Sequence, residues 1–258
     1  MFANERQDKI YEMIQNNGAV ITAKLVDFFG VSIETIRRDL LAMEQSGRLT
    51  RVHGGAVAKT AMKPFKNLTE RNKEFGKQKY VLSEKAAEFI SEGDVVGIDS
   101  GSTAISLSEV LKERFSKLTV VTHSMDVFEM LSNHKDFSVI LCGGHYLREE
   151  NAFYGEITRN MLQSLHVQKV FIFPTAVSLE NGIYDYQNDL YQIQKQWLKS
   201  AEKIYILADS SKFEKTALYK LSDMNREYIY ITDNSLRDEI AELYKENDIK
   251  IYLGGQKT

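Results

Sequence analysis

The chain has 258 residues, enough for one large domain or two unequal ones, and its 43% hydrophobic and 27% charged content is ordinary for a globular protein. It lacks the run of about 20 apolar residues that a transmembrane helix needs, and its first residues do not have the basic and apolar segments of a secretory signal. The single cysteine excludes an internal disulfide and a multi-thiolate metal site. We therefore expect a cytoplasmic protein with no membrane segment.

Positive and negative residues are nearly balanced in both parts of the chain, whose net charge is −3. Residues 1–58 carry seven Lys/Arg and seven Asp/Glu, and the remaining residues carry 26 and 29. This balance excludes a generally basic domain, the usual basis of indiscriminate nucleic-acid binding. Any binding to DNA must therefore depend on where individual cations are placed.

The first 57 residues show helical spacing followed by strand alternation. Three short helices are predicted: one with Ile10, Met13 and Ile14 that ends before Gly18, one capped by Thr22 that closes at Gly30, and one capped by Ser32 with Ile33, Ile36, Leu40 and Met43 on one side. Arg48 to Ala56 alternates and contains a Gly-Gly turn, which predicts a β-hairpin. Three helices and a hairpin describe a winged helix-turn-helix, which we place at residues 1–57.

The third helix has the pattern of a DNA recognition helix. Successive residues rotate by about 100°, so Arg38 points outward when Ile36 and Leu40 face the core. An apolar back holds such a helix to its domain while polar residues near its N-terminus reach base edges. The candidate DNA-contacting residues are Ser32, Thr35, Arg37, Arg38, Arg48, Arg51 and His53. The alternative is a solvated face on which the arginines pair with Glu34 and Glu44, but the cap, the paired arginines and the basic hairpin together favour DNA.

A polar stretch that includes Pro64 predicts a linker over residues 58–74. Beyond it, from residue 75 to 258, helical stretches alternate with seven candidate strands: Val95–Asp99, Leu118–Thr122, Val139–Leu141, Val170–Phe173, Ile204–Ala208, Tyr228–Thr232 and Ile249–Leu253. This alternation predicts a mainly parallel sheet covered by helices on both faces, so the second domain is α/β.

Polar residues follow several of these strands, where ligands bind in open α/β sheets. The candidate effector-binding residues are Asp99, Ser100, Gly101, Ser102 and Thr103 after the first strand, Thr122, His123 and Ser124 after the second, then Gly143 and Gly144 with Arg148, and finally Lys212. A glycine followed by a helix N-terminus favours an anion. Each segment also has a plain alternative: an ordinary helix cap, a tight turn or a solvated lysine.

The segments Val31–Leu40 and Glu44–Ala56 together strongly resemble the signature of the DeoR family of transcriptional repressors. The segments Asp99–Thr103, Thr122–Ser124 and Ala208–Phe213, and the Gly-Gly turn with Arg148, are similar to its effector domain. The resemblance implies an operator-binding repressor whose sensor domain resembles sugar-phosphate isomerases. It implies a sugar phosphate that weakens operator binding, with its phosphate at Ser100–Thr103 and with Lys212 and Arg148 as further contacts.

Three residues depart from the family pattern. His123 stands where asparagine is usual, Gln168 replaces an acidic residue and Phe173 replaces a glycine. From the last two we expect a pocket that has lost a carboxylate acceptor for sugar hydroxyls and has become narrower. Asp39 is expected to support an arginine or the fold instead of reading a base.

Two other functions remain open on the sequence. One is a sugar-phosphate isomerase with Lys212 and Asp99 as an acid–base pair, and the other is a winged helix that binds a partner protein. The attached winged helix and the residue at position 168 weigh against an enzyme, so we expect none, and we expect no cofactor and no metal site. We expect a homo-oligomer, a dimer or a tetramer, because dimeric readers match repeated half-sites.

Overall fold

The computed structural model describes residues 2–59, 61–62 and 66–255; Pro64 of the expected linker lies outside them. The α-helices are α1 (Ala3–Asn17), α2 (Thr22–Phe29), α3 (Ile33–Gln45), α4 (Leu68–Asn72), α5 (Gly76–Ala87), α6 (Ser102–Arg114), α7 (Met125–Leu131), α8 (Glu156–Gln163), α9 (Asn188–Ser200) and α10 (Asp238–Glu246). The strands are β1 (Ala19–Ile21), β2 (Leu49–Val52), β3 (Gly55–Ala58), β4 (Ala61–Met62), β5 (Val95–Ile98), β6 (Thr119–Thr122), β7 (Ser138–Leu141), β8 (His145–Leu147), β9 (Ala152–Tyr154), β10 (Val167–Ile172), β11 (Ala176–Ser178), β12 (Gly182–Asp185), β13 (Ala201–Leu207), β14 (Lys215–Thr216), β15 (Tyr219–Ser222), β16 (Ile229–Asp233) and β17 (Ile251–Gly254).

The N-terminal part is a winged helix-turn-helix: α1, α2 and α3 pack on an antiparallel sheet of order β1-β3-β2. Ser32 caps α3 as expected, since its hydroxyl accepts a hydrogen bond from the Thr35 amide at 3.2 Å. Two details of the expectation are wrong. Thr22 is the first residue of α2 and does not cap it, and the side chain of Ile33 is 44% exposed because it lies in the first turn of α3, outside the core.

A buried ion pair fixes the recognition helix to α1. The Arg6 Nε atom lies 2.5 Å from Asp39 Oδ2, and both residues are buried. Gln7 Nε2 donates a second hydrogen bond to Asp39 Oδ1 at 3.0 Å. This confirms that Asp39 supports an arginine and has a structural role. It also sets how α3 presents its outer face.

The larger part is an α/β domain, as predicted. All seven expected strands form one parallel sheet of order β17-β16-β13-β10-β5-β6-β7. One face packs on Leu82, Leu107 and Val127 of α5, α6 and α7, and the other packs on α8, α9 and α10. The strands are rich in Val and Ile because both of their faces are buried. The domain also contains a small antiparallel sheet of order β11-β12-β15, which was not predicted from the sequence. Its first strand, β11, follows the carboxyl end of β10.

Part of the segment expected as a linker is helical. Asn67 and Glu70 form a reciprocal capping box at the start of α4, with hydrogen bonds of 3.0 Å in both directions. Arg71 of this helix makes an ion pair with Glu150 of the α/β domain. The segment therefore contributes side chains to the larger domain.

The two parts of the chain share a packed interface on α10. Ile240 and Leu243 belong to the same apolar cluster as Ala19, Ile21 and Val57 of the winged helix. Around this cluster, Lys24 Nζ lies 2.5 Å from Glu242 Oε2, Arg237 Nη1 donates to the Asn16 carbonyl at 2.9 Å, and Asn247 Nδ2 donates to the His53 carbonyl at 3.1 Å. None of the helices in the described ranges is both long and apolar enough to cross a membrane.

Candidate DNA-binding surface and effector cavity

The outer face of α3 carries the predicted DNA-reading residues. Arg37 and Arg38 are exposed, while Thr35 is half-buried with its hydroxyl 2.9 Å from that of Ser32. Arg37 pairs with Glu34 at 2.8 Å, but both side chains are more than half exposed, so the pair is weak and easily broken. Arg38 makes no ion pair with any described residue. It is therefore available to a duplex.

The predicted wing residues have partners within the protein. Arg48 Nη2 lies 2.8 Å from Asp8 Oδ1, and its guanidinium lies 4.6 Å from the centre of the Tyr11 ring. Arg51 lies 3.8 Å from a Glu44 carboxylate oxygen. His53 is exposed at the hairpin turn, where its carbonyl meets α10. The turn thus lies at the contact between the two parts of the chain.

A cavity opens at the carboxyl ends of β5, β10 and β13. Its volume is about 680 Å³ including the part open to solvent. Three of the predicted effector residues line it, Ser100, Ser102 and Lys212, and Phe173 also lines it. The remaining lining residues are Lys66, Arg71, Glu74, Phe75, Lys79, Glu150, Thr175, Asp185, Tyr186, Gln187, Leu190, Gln194 and Asp209.

The loop before α6, residues 100–103, has the features expected of a cradle for an anion. Gly101 has a φ of 132°, a conformation that favours glycine, and it leads into the free amides of the α6 N-terminus. The hydroxyls of Ser100 and Thr103 are buried without a hydrogen-bond partner in the described structure. A Cβ atom on Gly101 would lie 3.5 Å from Arg71 Nη1, so the guanidinium lies close to the loop. Hydroxyls, amides and a guanidinium together suit a phosphate.

Two buried lysines lie at the same cavity. Lys212 Nζ donates to the Pro174 carbonyl at 2.9 Å, and Lys79 Nζ donates to the carbonyls of Arg71 and Glu74. Burial lowers the pKa of Lys212 to about 8, despite the favourable Asp209 carboxylate, and the charges of Arg71 and Lys79 lower it further. A bound anion would relieve this unfavourable positive charge.

Carboxylates also lie at the cavity. Gln194 Nε2 bridges Asp99 Oδ2 at 2.9 Å and Asp185 Oδ2 at 2.8 Å, while His123 Nε2 lies 2.9 Å from the other oxygen of Asp99. Burial raises the pKa of Asp185 and, against the lowering effect of Arg71, that of Glu150. The cavity therefore contains both cationic donors and buried acceptors, and Arg71 and Glu150 are in direct contact.

Several predicted effector residues support the cavity without lining it. Thr122 donates from its hydroxyl to the Ile98 carbonyl at 2.8 Å, His123 holds Asp99, and Ser124 caps α7. Gly143 accepts from the Thr158 hydroxyl at 3.0 Å, and a Cβ atom on Gly144 would collide with Thr158. Arg148 is exposed and is not among the cavity-lining residues, so the structure gives no support to its assignment as an effector contact.

The expectation for position 168 is wrong. Gln168 is exposed at the amino end of β10, where it accepts a hydrogen bond from the Val95 amide at 2.8 Å, whereas the cavity lies at the carboxyl end of that strand. Its replacement of an acidic residue therefore removes no acceptor from the cavity. Phe173, at the carboxyl end, does line the cavity, and the narrowing expected from it stays a prediction.

The cavity residues that sequence reasoning missed include five with polar or charged side chains that shape its chemistry: Arg71, Lys79, Glu150, Asp185 and Gln194. The Asn67-x-x-Glu70 capping pattern would have shown that Arg71 follows a helix start and is not in a linker. Nothing in the local sequence marks the other four, because the chain brings them together from separate elements.

Two family models match most of the chain. The DeoR-like helix-turn-helix domain matches residues 6–61, and the DeoR C-terminal sensor domain matches residues 74–234. Among solved structures, ribose 5-phosphate isomerase A from Neisseria gonorrhoeae is similar over 54% of this chain and 53% of that chain, with 22% identity and a TM-score of 0.41.

The curated relatives extend over the whole chain. The HTH-type transcriptional regulator IolR of Bacillus subtilis is 31% identical over 96% of this chain and 98% of its own length. The lactose phosphotransferase system repressor of Streptococcus mutans is 33% identical over 96% of this chain and 99% of its own, and the L-fucose operon activator of Haemophilus influenzae is 29% identical over 97% and 100%. These relatives are named regulators and not enzymes, which confirms the prediction of a regulator over an isomerase. The chain belongs to the DeoR family of helix-turn-helix transcriptional regulators.

Proposed function

We propose that this regulator is a repressor of a sugar-related operon, and that a sugar phosphate bound in the cavity lowers its affinity for operator DNA. The observation that carries the proposal is the cradle of Ser100–Thr103 with Arg71 beside it and the buried Lys212 in the same cavity. Relatives named as repressors of lactose and aga operons support the sugar connection. We further propose that it acts in the cytoplasm as a homo-oligomer, because one recognition helix reads only one half-site.

A continuous set of contacts leads from the cavity to the winged helix. Glu214 follows Lys212 by two residues, with a left-handed φ of 53° and a buried side chain. Its Oε1 atom accepts hydrogen bonds from Tyr244 Oη at 2.6 Å and from the Leu179 amide at 3.1 Å. Tyr244 belongs to α10, and its neighbour Leu243 packs on the winged helix. A ligand that moves Lys212 can therefore act on the interdomain interface.

The proposal is tested with DNA duplexes selected from a random-sequence library by the full chain. Pentose and hexose phosphates are added to the complex, with the same sugars without phosphate as controls, and DNA release is followed by fluorescence anisotropy. We expect at least one phosphorylated sugar, and none of the free sugars, to release DNA. The effect should weaken as the pH rises through about 8, because Lys212 then loses its proton and its attraction for the phosphate. The proposal fails if no phosphorylated sugar changes either DNA affinity or thermal stability.

Tyr244→Phe should separate effector response from DNA binding. We expect an unchanged affinity for the selected duplex and a several-fold higher sugar-phosphate concentration for half-release, because the hydrogen bond from α10 to Glu214 is lost. The matched control is Tyr230→Phe, another buried tyrosine, whose hydroxyl bonds the Asn225 carbonyl at 3.2 Å and not Glu214. Equal responses in the two variants would contradict the proposed route.

A further inference from the structure

We propose that buried acceptor atoms in the cavity select a ligand that carries hydroxyl groups beyond its phosphate, and that Gln194 is the specificity-determining residue. The inference rests on the proposed function, because it concerns the same cavity. The phosphate cradle binds the group that all phosphorylated ligands share, so it cannot distinguish one of them from another. That selection requires other residues of the cavity.

Two carboxylates fix the amide of Gln194. Asp99 and Asp185 both offer oxygens to it, so its NH₂ group must face them and its Oε1 atom must face away. That Oε1 atom is buried and accepts no hydrogen bond from the residues that the structure describes. An amide held in this way cannot turn to satisfy its own oxygen. It therefore requires a donor from outside the protein.

Two further buried acceptor atoms at the cavity also lack a hydrogen-bond donor among the described residues. Gln187 Oε1 and Glu150 Oε1 are buried without a donor in the described part of the chain, and both residues line the cavity together with Gln194. Gln187 precedes α9 but makes no side-chain capping bond. Buried acceptors of this kind are expected to find partners. Three such atoms in one cavity match a ligand with several hydroxyl donors.

The unpartnered groups at the cavity are of two kinds, hydroxyl donors and acceptor oxygens. Unpartnered hydroxyls of Ser100 and Thr103, with Arg71 nearby, lie at the cradle, where a phosphate accepts hydrogen bonds. Gln194, Gln187 and Glu150 supply acceptors, to which ligand hydroxyls donate hydrogen bonds. A phosphorylated polyol or sugar satisfies both sets of groups at once, whereas inorganic phosphate satisfies only the first.

The test compares ligands that share the phosphate and differ in hydroxyls. Isothermal titration calorimetry is performed with inorganic phosphate, ribose 5-phosphate, fructose 6-phosphate and glucitol 6-phosphate on the wild type and on Gln194→Met. We expect the best hydroxylated ligand to bind the wild type at least about tenfold more tightly than inorganic phosphate, since each hydrogen bond contributes about three- to tenfold. In Gln194→Met this gain should fall about three- to tenfold, while affinity for inorganic phosphate stays within about twofold.

The control is Gln192→Met, on the same helix but outside the cavity lining, and it should leave every affinity unchanged. If Gln194→Met proves unfolded in a thermal melt, Gln187→Met decides, because it removes an unpartnered acceptor without touching the two carboxylates. The inference is overturned if the gain from hydroxyls survives in the folded variants, or if no hydroxylated ligand exceeds inorganic phosphate in the wild type. Failure of the proposed function looks different: no phosphate compound binds and none releases DNA.

Discussion

An Asp39→Ala variant is expected to lose about 3–5 kcal/mol of its free energy of unfolding, concentrated in the winged helix, because the buried Arg6 guanidinium is left without its counter-ion. Gln7 also loses its acceptor at 3.0 Å. DNA affinity should fall with stability, since the ion pair holds α3 in place. Urea unfolding followed by circular dichroism measures the loss.

The matched control is Glu34→Ala, which breaks the exposed pair with Arg37 on the same helix. It should change the free energy of unfolding by less than about 0.5 kcal/mol. Replacing both buried partners, as Arg6→Met with Asp39→Leu, should recover most of the lost stability, since no unpaired charge then remains. A small effect of Asp39→Ala alone would show that water reaches Arg6 and that the pair is not structural.

Arg38→Ala is expected to weaken binding to the selected duplex by about 10- to 100-fold, the cost of about 1–3 kcal/mol for losing one specific base contact. The thermal unfolding midpoint should not change, because Arg38 is exposed and bonds no described residue. Fluorescence anisotropy at fixed salt measures the affinity, since phosphate contacts make every such value salt-dependent.

Lys112→Ala serves as the control for Arg38→Ala. It removes one exposed cation from α6 of the larger domain and should change DNA affinity by less than about twofold. Arg38→Lys should restore only part of the affinity, because an ammonium cannot make the bidentate contact of a guanidinium. Wild-type affinity in Arg38→Ala would refute the assignment of α3 as the reading helix.

The winged helix and the parallel sheet were both predicted correctly from the sequence, and the reason is the same for both. The helical spacing of apolar residues within 10–43 is a pattern of residues that are near one another in the chain. The Val/Ile-rich strands are likewise short continuous segments, so both can be recognised locally. Ser32 could be recognised as a cap because its partner, the Thr35 amide, lies three residues away. The short strand β1 was missed because its three residues are held by pairing with β3, more than 30 residues later.

The loop proposed as the phosphate cradle could likewise be recognised in the sequence, because Ser100 to Thr103 are consecutive and lead directly into a helix. The rest of the cavity was decided by the tertiary structure. Arg71 reaches the cradle from a segment that the sequence indicated as linker, and Gln194 meets Asp99 across 95 residues. The register of β10 placed Gln168 at the far end of the sheet, away from the cavity. Local patterns determine which elements form, whereas contacts between distant residues depend on how those elements pack, and no local spacing encodes that packing.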